Sequence, residues 1–139
     1  MNRTRILLIV TLFFIARLIV IFVHGHAHNV QAVPLEAWQN VYIQTVIVAG
    51  PIVSLIWLWF QPRPMVAWML AGFLVASWLF GLYFHFGPMN PDHVGSQHGS
   101  GEHLFALSAV ALGVIEPLAA ASAVWAAYAL GRRVEPQHV

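Results

Sequence analysis

Four long apolar stretches constrain this chain more than any other feature of its sequence. They cover residues 6–28, 37–60, 65–87 and 102–131. An α-helix needs roughly 20 apolar residues to cross the ~30 Å hydrocarbon core of a bilayer. Lipid offers no partner to backbone polar groups, so each stretch is expected to be helical. The sequence therefore predicts an all-α fold: one domain that is an integral membrane four-helix bundle, antiparallel and up-down.

The composition agrees with a chain whose main contact is the lipid bilayer. Of the 139 residues, 60% are hydrophobic and only 8% are charged, and there is no cysteine. The lack of cysteine excludes disulfides, thiolate metal sites and covalent haem attachment through C-x-x-C-H. No basic patch beyond the short ends supports a nucleic-acid partner, so none is expected.

The arginines indicate which way the chain crosses the membrane. The sequence has no lysine, and the first and third connections contain no arginine either. By the positive-inside rule, both termini are expected in the cytoplasm of a multi-pass cell-membrane protein, and both lysine- and arginine-free connections outside it. The arginines that support this orientation are Arg3, Arg5, Arg63, Arg132 and Arg133.

A cleaved leader peptide is the competing interpretation of the first stretch. A basic start and the triplet Val30-Gln31-Ala32 are compatible with cleavage. However, the apolar run is longer than a usual leader segment and contains Arg17. Cleavage would also remove three histidines, so the first stretch is expected to remain as a membrane span.

Seven of the eight histidines fall in or beside the two connections expected outside the cell; His138 lies in the tail. Imidazole is the commonest metal ligand among side chains and the usual proton carrier near neutral pH. A one-sided cluster of this size favours a metal site at the extracytoplasmic face. The seven are His24, His26, His28, His85, His93, His98 and His103.

Helix ends hold ligands more rigidly than a Gly-rich loop does. Histidines at the expected helix ends are therefore preferred as metal ligands over those in the loop. The preferred ligands are His24, His28, His85 and His103. On a helix His24 and His28 share a face, whereas an extended chain would point His26 the same way as both. The secondary candidates are His26, His93, His98, Asp92 and Glu102. Nitrogen and oxygen donors suit a transition-metal ion such as copper, zinc or iron.

Ionisable and amide side chains deeper in the spans form a second group. Arg17 and Glu116 are the only charged residues far inside their stretches, where an unpaired charge is costly. They are predicted to form an intramembrane ion pair, with a proton station at Glu116 as the functional alternative. Asn40 and Gln44 share a helix face and are expected to orient the metal ligands.

The leading functional hypothesis is a small membrane protein that binds a transition-metal ion for uptake, delivery or metal-dependent redox chemistry. One alternative is an accessory subunit that packs in a larger membrane complex. Another is a membrane cytochrome with haem b held by two histidines. Four spans are few for a complete transporter, so a homo-oligomer or a membrane partner subunit is expected. Whether the chain is an enzyme is left open.

Overall fold

The structure, a computed structural model, describes residues 2–132, all of whose regular elements are helical. Four helices in this part are long and apolar enough to span a membrane, which confirms the predicted fold class in that respect. The antiparallel arrangement and the cytoplasmic termini stay predictions, and Arg133 and His138 lie outside the described residues. The helices are α1 (Arg3–Gln31), α2 (Ala37–Phe60), α3 (Pro64–Phe86) and α4 (Glu102–Gly131).

Helix α1 continues through the whole histidine-rich segment. It begins where the Asn2 side chain accepts a hydrogen bond from the Thr4 amide, at 3.2 Å. It ends at Ala32, whose φ of 49° lies in the left-handed region that commonly closes helices. Because the backbone is helical rather than extended here, His24 and His28 lie one turn apart on the same face.

Helix α2 changes its winding in the middle. Residues Ala37–Tyr42 and Gly50–Phe60 are α-helical, and the intervening Ile43–Ala49 segment is π-helical. The wide segment ends just before Pro51, which has no amide hydrogen to donate to the carbonyl of Ile47 one turn earlier. A proline commonly kinks a helix, and here the structure shows a stretch of wider helix before Pro51.

The hydrophobic core occupies one half of the bundle. It is built from the first half of α1, the last turns of α2, the first half of α3 and the second half of α4. Small residues of α4 are buried in this core, so the small-residue surface of α4 packs inside the bundle. They are Ala119, Ala120, Ala123, Ala126 and Ala127. The buried histidines and Asp92 lie in the other half of the bundle, and the buried Arg17 and Glu116 lie between the two halves.

Candidate metal centre

Three imidazole rings meet where the last turns of α1 and α3 approach the first turns of α4. The Nε2 atom of His24 lies 3.0 Å from Nε2 of His85 and 3.2 Å from Nε2 of His28. One ligand nitrogen from each ring lies within 4.8 Å of the other two. His24 and His85 are buried and His28 is partly buried. We call His24, His28 and His85 the histidine cluster.

A serine determines which nitrogen of His24 carries its hydrogen. The Oγ of Ser108 lies 2.6 Å from the carbonyl oxygen of Leu104 and 3.0 Å from that of Phe105. Carbonyl oxygens only accept, so the single hydroxyl hydrogen is donated to them. Ser108 must then accept the hydrogen bond from Nδ1 of His24, at 2.9 Å. The Nε2 atom of neutral His24 therefore presents a lone pair to the cluster.

His85 is held in the same tautomer by the backbone. Its Nδ1 atom lies 3.2 Å from the carbonyl oxygen of Asp92, which can only accept. Nε2 of neutral His85 therefore also presents a lone pair, 3.0 Å from that of His24. Two lone pairs at this distance repel each other, and a cation between them removes the repulsion. Metal-binding histidines typically donate their second ring N–H to an oxygen in this way.

The nitrogen spacing suits a small transition-metal ion. Zinc–nitrogen bonds of 2.0–2.1 Å in a tetrahedral site place ligand nitrogens about 3.3 Å apart. The distances of 3.0 and 3.2 Å from His24 to the other two rings are close to that value. Three protein nitrogens leave the fourth position free for another ligand, as in catalytic zinc sites.

Asp92 places a carboxyl group beside the histidine cluster. Its Oδ1 lies 3.5 Å from Nε2 of His28, and its Oδ2 lies 3.4 Å from Nδ1 of His85. Its segment is tied to α3 by the Val94 amide, which donates to the His85 carbonyl at 3.0 Å. Burial raises the pKa of Asp92 to about 7. Oδ1 is enclosed with no hydrogen-bond partner among residues 2–132, so it can serve as an oxygen ligand.

His103, the fourth preferred ligand of the sequence analysis, does not join the cluster. Its side chain is 91% exposed and lies beside Glu102, with 3.7 Å between Nε2 and Oε1. The physical reason is helical phase, because Phe105 and Ser108 mark the buried face of α4. His103 precedes Phe105 by two residues and therefore points to the opposite side.

The remaining secondary histidines also lie apart from the cluster. His26 and His98 are exposed. His93 uses Nδ1 to accept a hydrogen bond from the Gly95 amide, at 3.0 Å. The predicted orienting residues Asn40 and Gln44 make no hydrogen bond to the three rings, although both line the cavity beside them. The orienting groups that the structure shows are Ser108 and the Asp92 carbonyl.

The predicted pair of Arg17 and Glu116 is present and joins all four helices. Nη2 and Nε of Arg17 lie 3.1 and 3.2 Å from Oε1 of Glu116. Nη2 also donates to the Ile47 carbonyl and to the Ser77 hydroxyl, both at 2.9 Å. Ser77 in turn donates to Glu116. The carbonyl that Pro51 leaves without an amide partner is thus satisfied by the guanidinium.

A second proline has the same effect in α4. Pro117 cannot donate to the carbonyl of Gly113, one turn earlier. Nε1 of Trp78, on α3, donates to this carbonyl at 3.2 Å. Trp78 is not among the site residues predicted from the sequence. The need for such a donor could have been inferred from Pro117. A proline leaves the carbonyl four residues before it without a helical amide partner, so a buried carbonyl there needs a donor from another helix.

One cavity of about 220 Å³ connects the two polar groups. The histidine cluster and Asp92 lie on its wall, and so do Ser77 and Glu116. Along α4, the lining residues Ala109 and Glu116 are about 10 Å apart at 1.5 Å per residue, which gives the length of the cavity wall on this helix. No family model, curated protein or solved structure matches this sequence, so functional assignment depends on this geometry.

Proposed function

We propose that this chain is a cell-membrane protein that binds one transition-metal ion through His24, His28 and His85, for uptake, delivery or metal-dependent redox chemistry. The observation that supports this most is the orientation of the rings. Two of the three rings use Nδ1 to donate to a fixed oxygen, and their Nε2 lone pairs face each other. Such an arrangement is costly without a cation and favourable with one.

The donor set supports copper, zinc or iron as the ion. Imidazole nitrogens suit all three metals, and a carboxylate oxygen from Asp92 is compatible with zinc or iron. A soft thiolate site is excluded because the chain has no cysteine. The ligand set of three neutral imidazoles and one carboxylate leaves a divalent ion with a net positive charge, which a further anionic ligand would balance.

The proposed orientation places the histidine cluster at the extracytoplasmic face. This part of the proposal is supported by five of the six arginines, which lie at the chain ends and in the short connection after α2. The connections that follow α1 and α3, beside the cluster, contain neither lysine nor arginine. An incoming cation would therefore meet Asp92 and the imidazoles without crossing a basic surface.

The geometry disfavours the haem alternative. A haem with two histidine ligands needs the rings on opposite sides of a flat macrocycle. Here the His24 ring packs edge-on against both His28 and His85, with centroid separations of 4.7 and 4.6 Å. These contacts leave no slot for a macrocycle between the rings. The accessory-subunit alternative predicts no stoichiometric metal, so elemental analysis of the purified protein separates it from metal binding.

Elemental analysis of the purified protein, with an absorption spectrum, tests the proposal. One ion per chain is expected in the unaltered protein, without a Soret band. His24→Ala and His85→Ala are each expected to lose the ion. His26→Ala and His103→Ala are matched controls, because both side chains are exposed and outside the cluster. Equal metal content in all five proteins would contradict the proposal, as would a Soret band.

A further inference from the structure

The cavity beneath the histidine cluster has the size and lining of a site for a small organic molecule. All four helices contribute to its wall, which is mostly apolar and aromatic. A dry apolar cavity of about 150 Å³ is known to hold benzene, so about 220 Å³ has room for a substituted single ring. The apolar wall residues include Ile21, Ile43, Ile47, Trp78, Phe80 and Leu112.

At the inner end of the cavity, one carboxylate oxygen of Glu116 lacks a donor. Glu116 is 97% buried, since only 3% of its surface is exposed. Its Oε1 accepts from Arg17 and Ser77, whereas Oε2 accepts no hydrogen bond within residues 2–132. Oε2 is not among the fully enclosed unpaired atoms, and Glu116 lines the cavity. The free acceptor therefore faces the empty space.

The charge balance at this end of the cavity selects an uncharged donor. The guanidinium of Arg17 already neutralises Glu116, and Nη2 lies 3.1 Å from Oε1. A second cation would meet the positive charge of Arg17, and an anion would meet the carboxylate. A neutral hydroxyl group satisfies Oε2 without disturbing the pair.

Helix α1 and the first half of α2 are not packed against each other beside the cavity. Both helices line the cavity, yet the backbone of α1 does not approach residues 37–49 within 8 Å. The wall on the α2 side is formed largely by its π-helical segment, through Ile43, Gln44 and Ile47. Such wide turns are frequent at functional sites, and a gap between two spans admits molecules dissolved in lipid.

We propose that this cavity binds a small, uncharged, single-ring molecule that carries a hydroxyl group, a phenol in the simplest case. The ring occupies the apolar part of the cavity, and the hydroxyl donates to Oε2 of Glu116. This binding site goes beyond the metal site, and its existence does not depend on which ion the histidine cluster holds.

Fluorine NMR of 4-fluorophenol with the protein in lipid nanodiscs tests this site. Gly113→Leu fills the cavity, because a side chain added there meets only Phe86, at 4.0 Å from its Cβ, before it extends into the space. Gly72→Leu is the matched control: it is a glycine of α3 that is exposed, and an added Cβ meets nothing within 4 Å. Fluorobenzene replaces the hydroxyl-bearing probe in a parallel titration.

Saturable binding of 4-fluorophenol is expected in the unaltered protein and in Gly72→Leu, and its loss is expected in Gly113→Leu. Fluorobenzene is expected to bind about tenfold more weakly, since it cannot donate to Glu116. Equal signals in all three proteins, no saturation, or equal affinity for the two probes would overturn the proposal. Metal content, measured on the same samples, reports separately on the histidine cluster.

Discussion

The imidazole of His24 on α1 and the hydroxyl of Ser108 on α4 form a hydrogen bond of 2.9 Å that sets the tautomer of the ring. Because Ser108 donates its own hydrogen to a carbonyl of its helix, it can only accept from His24. The orientation of the His24 ring, which lies between His28 and His85, therefore depends on the position of α4.

Replacing Ser108 with alanine is expected to weaken metal binding while leaving all three proposed ligands in place. Loss of such an orienting partner typically lowers metal affinity 10–100-fold. Ser122→Ala is the matched control, because Ser122 is also buried on α4 and also donates to a carbonyl of its own helix, at 2.7 Å. Chelator competition measures both affinities. Equal losses in the two variants would show that Ser108 does not orient His24.

Metal binding is expected to weaken as the pH falls below 7. Burial raises the pKa of Asp92 to about 7, so the metal-free folded protein holds this proton at pH 6 and releases it at pH 8. A bound cation displaces the proton, and each displaced proton reduces the affinity about tenfold per pH unit below its pKa. Zinc competition titrations between pH 5 and 8 measure this slope.

Asp92→Asn isolates the carboxyl group in that experiment. The variant is expected to bind zinc more weakly at pH 8 and to show a slope smaller by about one proton below pH 7. Glu102→Gln is the control, because Glu102 lies beside the exposed His103 and away from the cluster. If the pH dependence of zinc affinity is the same in Asp92→Asn and in the unaltered protein, the carboxyl group of Asp92 does not take part in binding.

Arg17 and Glu116 are expected to be strongly coupled in stability. Arg17→Leu leaves a buried carboxylate without its partner and should lower the free energy of unfolding by about 3 kcal/mol. The double variant Arg17→Leu/Glu116→Leu removes both charges and should be more stable than the sum of the single variants predicts. Unfolding in mixed detergent micelles measures all three. Additive losses would show that the pair contributes no coupling energy.

Trp78 and Pro117 are expected to be coupled in a similar way through the Gly113 carbonyl. Trp78→Phe keeps an aromatic ring but removes the donor, which should cost about 1–3 kcal/mol because the carbonyl is left unpaired. In a Pro117→Ala background the restored amide can donate to that carbonyl, so the same change should cost about 1 kcal/mol less. Unfolding measurements on the four proteins check this, and equal costs in both backgrounds would refute it.

Some features of the fold could be predicted from the sequence because physical chemistry allows few other structures for the residues concerned. The four helices follow from the length of the apolar stretches, and the Arg17–Glu116 pair follows from the high cost of an unpaired charge in lipid. The convergence of His24 and His28 follows from a separation of four residues on a helix. Each of these inferences needs only a simple rule of length, charge or spacing.

The partners of His24 and His85 were not predictable in the same way. Ser108 and the Asp92 carbonyl become partners only through the packing of α1, α3 and α4, which no local pattern encodes. The rotation of α4 about its own axis could have been predicted from the sequence, however. Phe105, Ser108, Leu112 and Glu116 recur at the spacing of one helix face, and His103 is out of phase with them.

The connections of Arg17 have a consequence for how the chain is made. Its partners Ile47, Ser77 and Glu116 all follow it in the sequence, and the last of them belongs to α4. In the membrane arrangement proposed above, a nascent α1 in the bilayer would carry an uncompensated positive charge, at a cost of roughly 2.5–3.5 kcal/mol, until α4 arrives. Insertion would become fully favourable only when α4 enters the bilayer, so a chain truncated before Glu116 is an expected target for quality control.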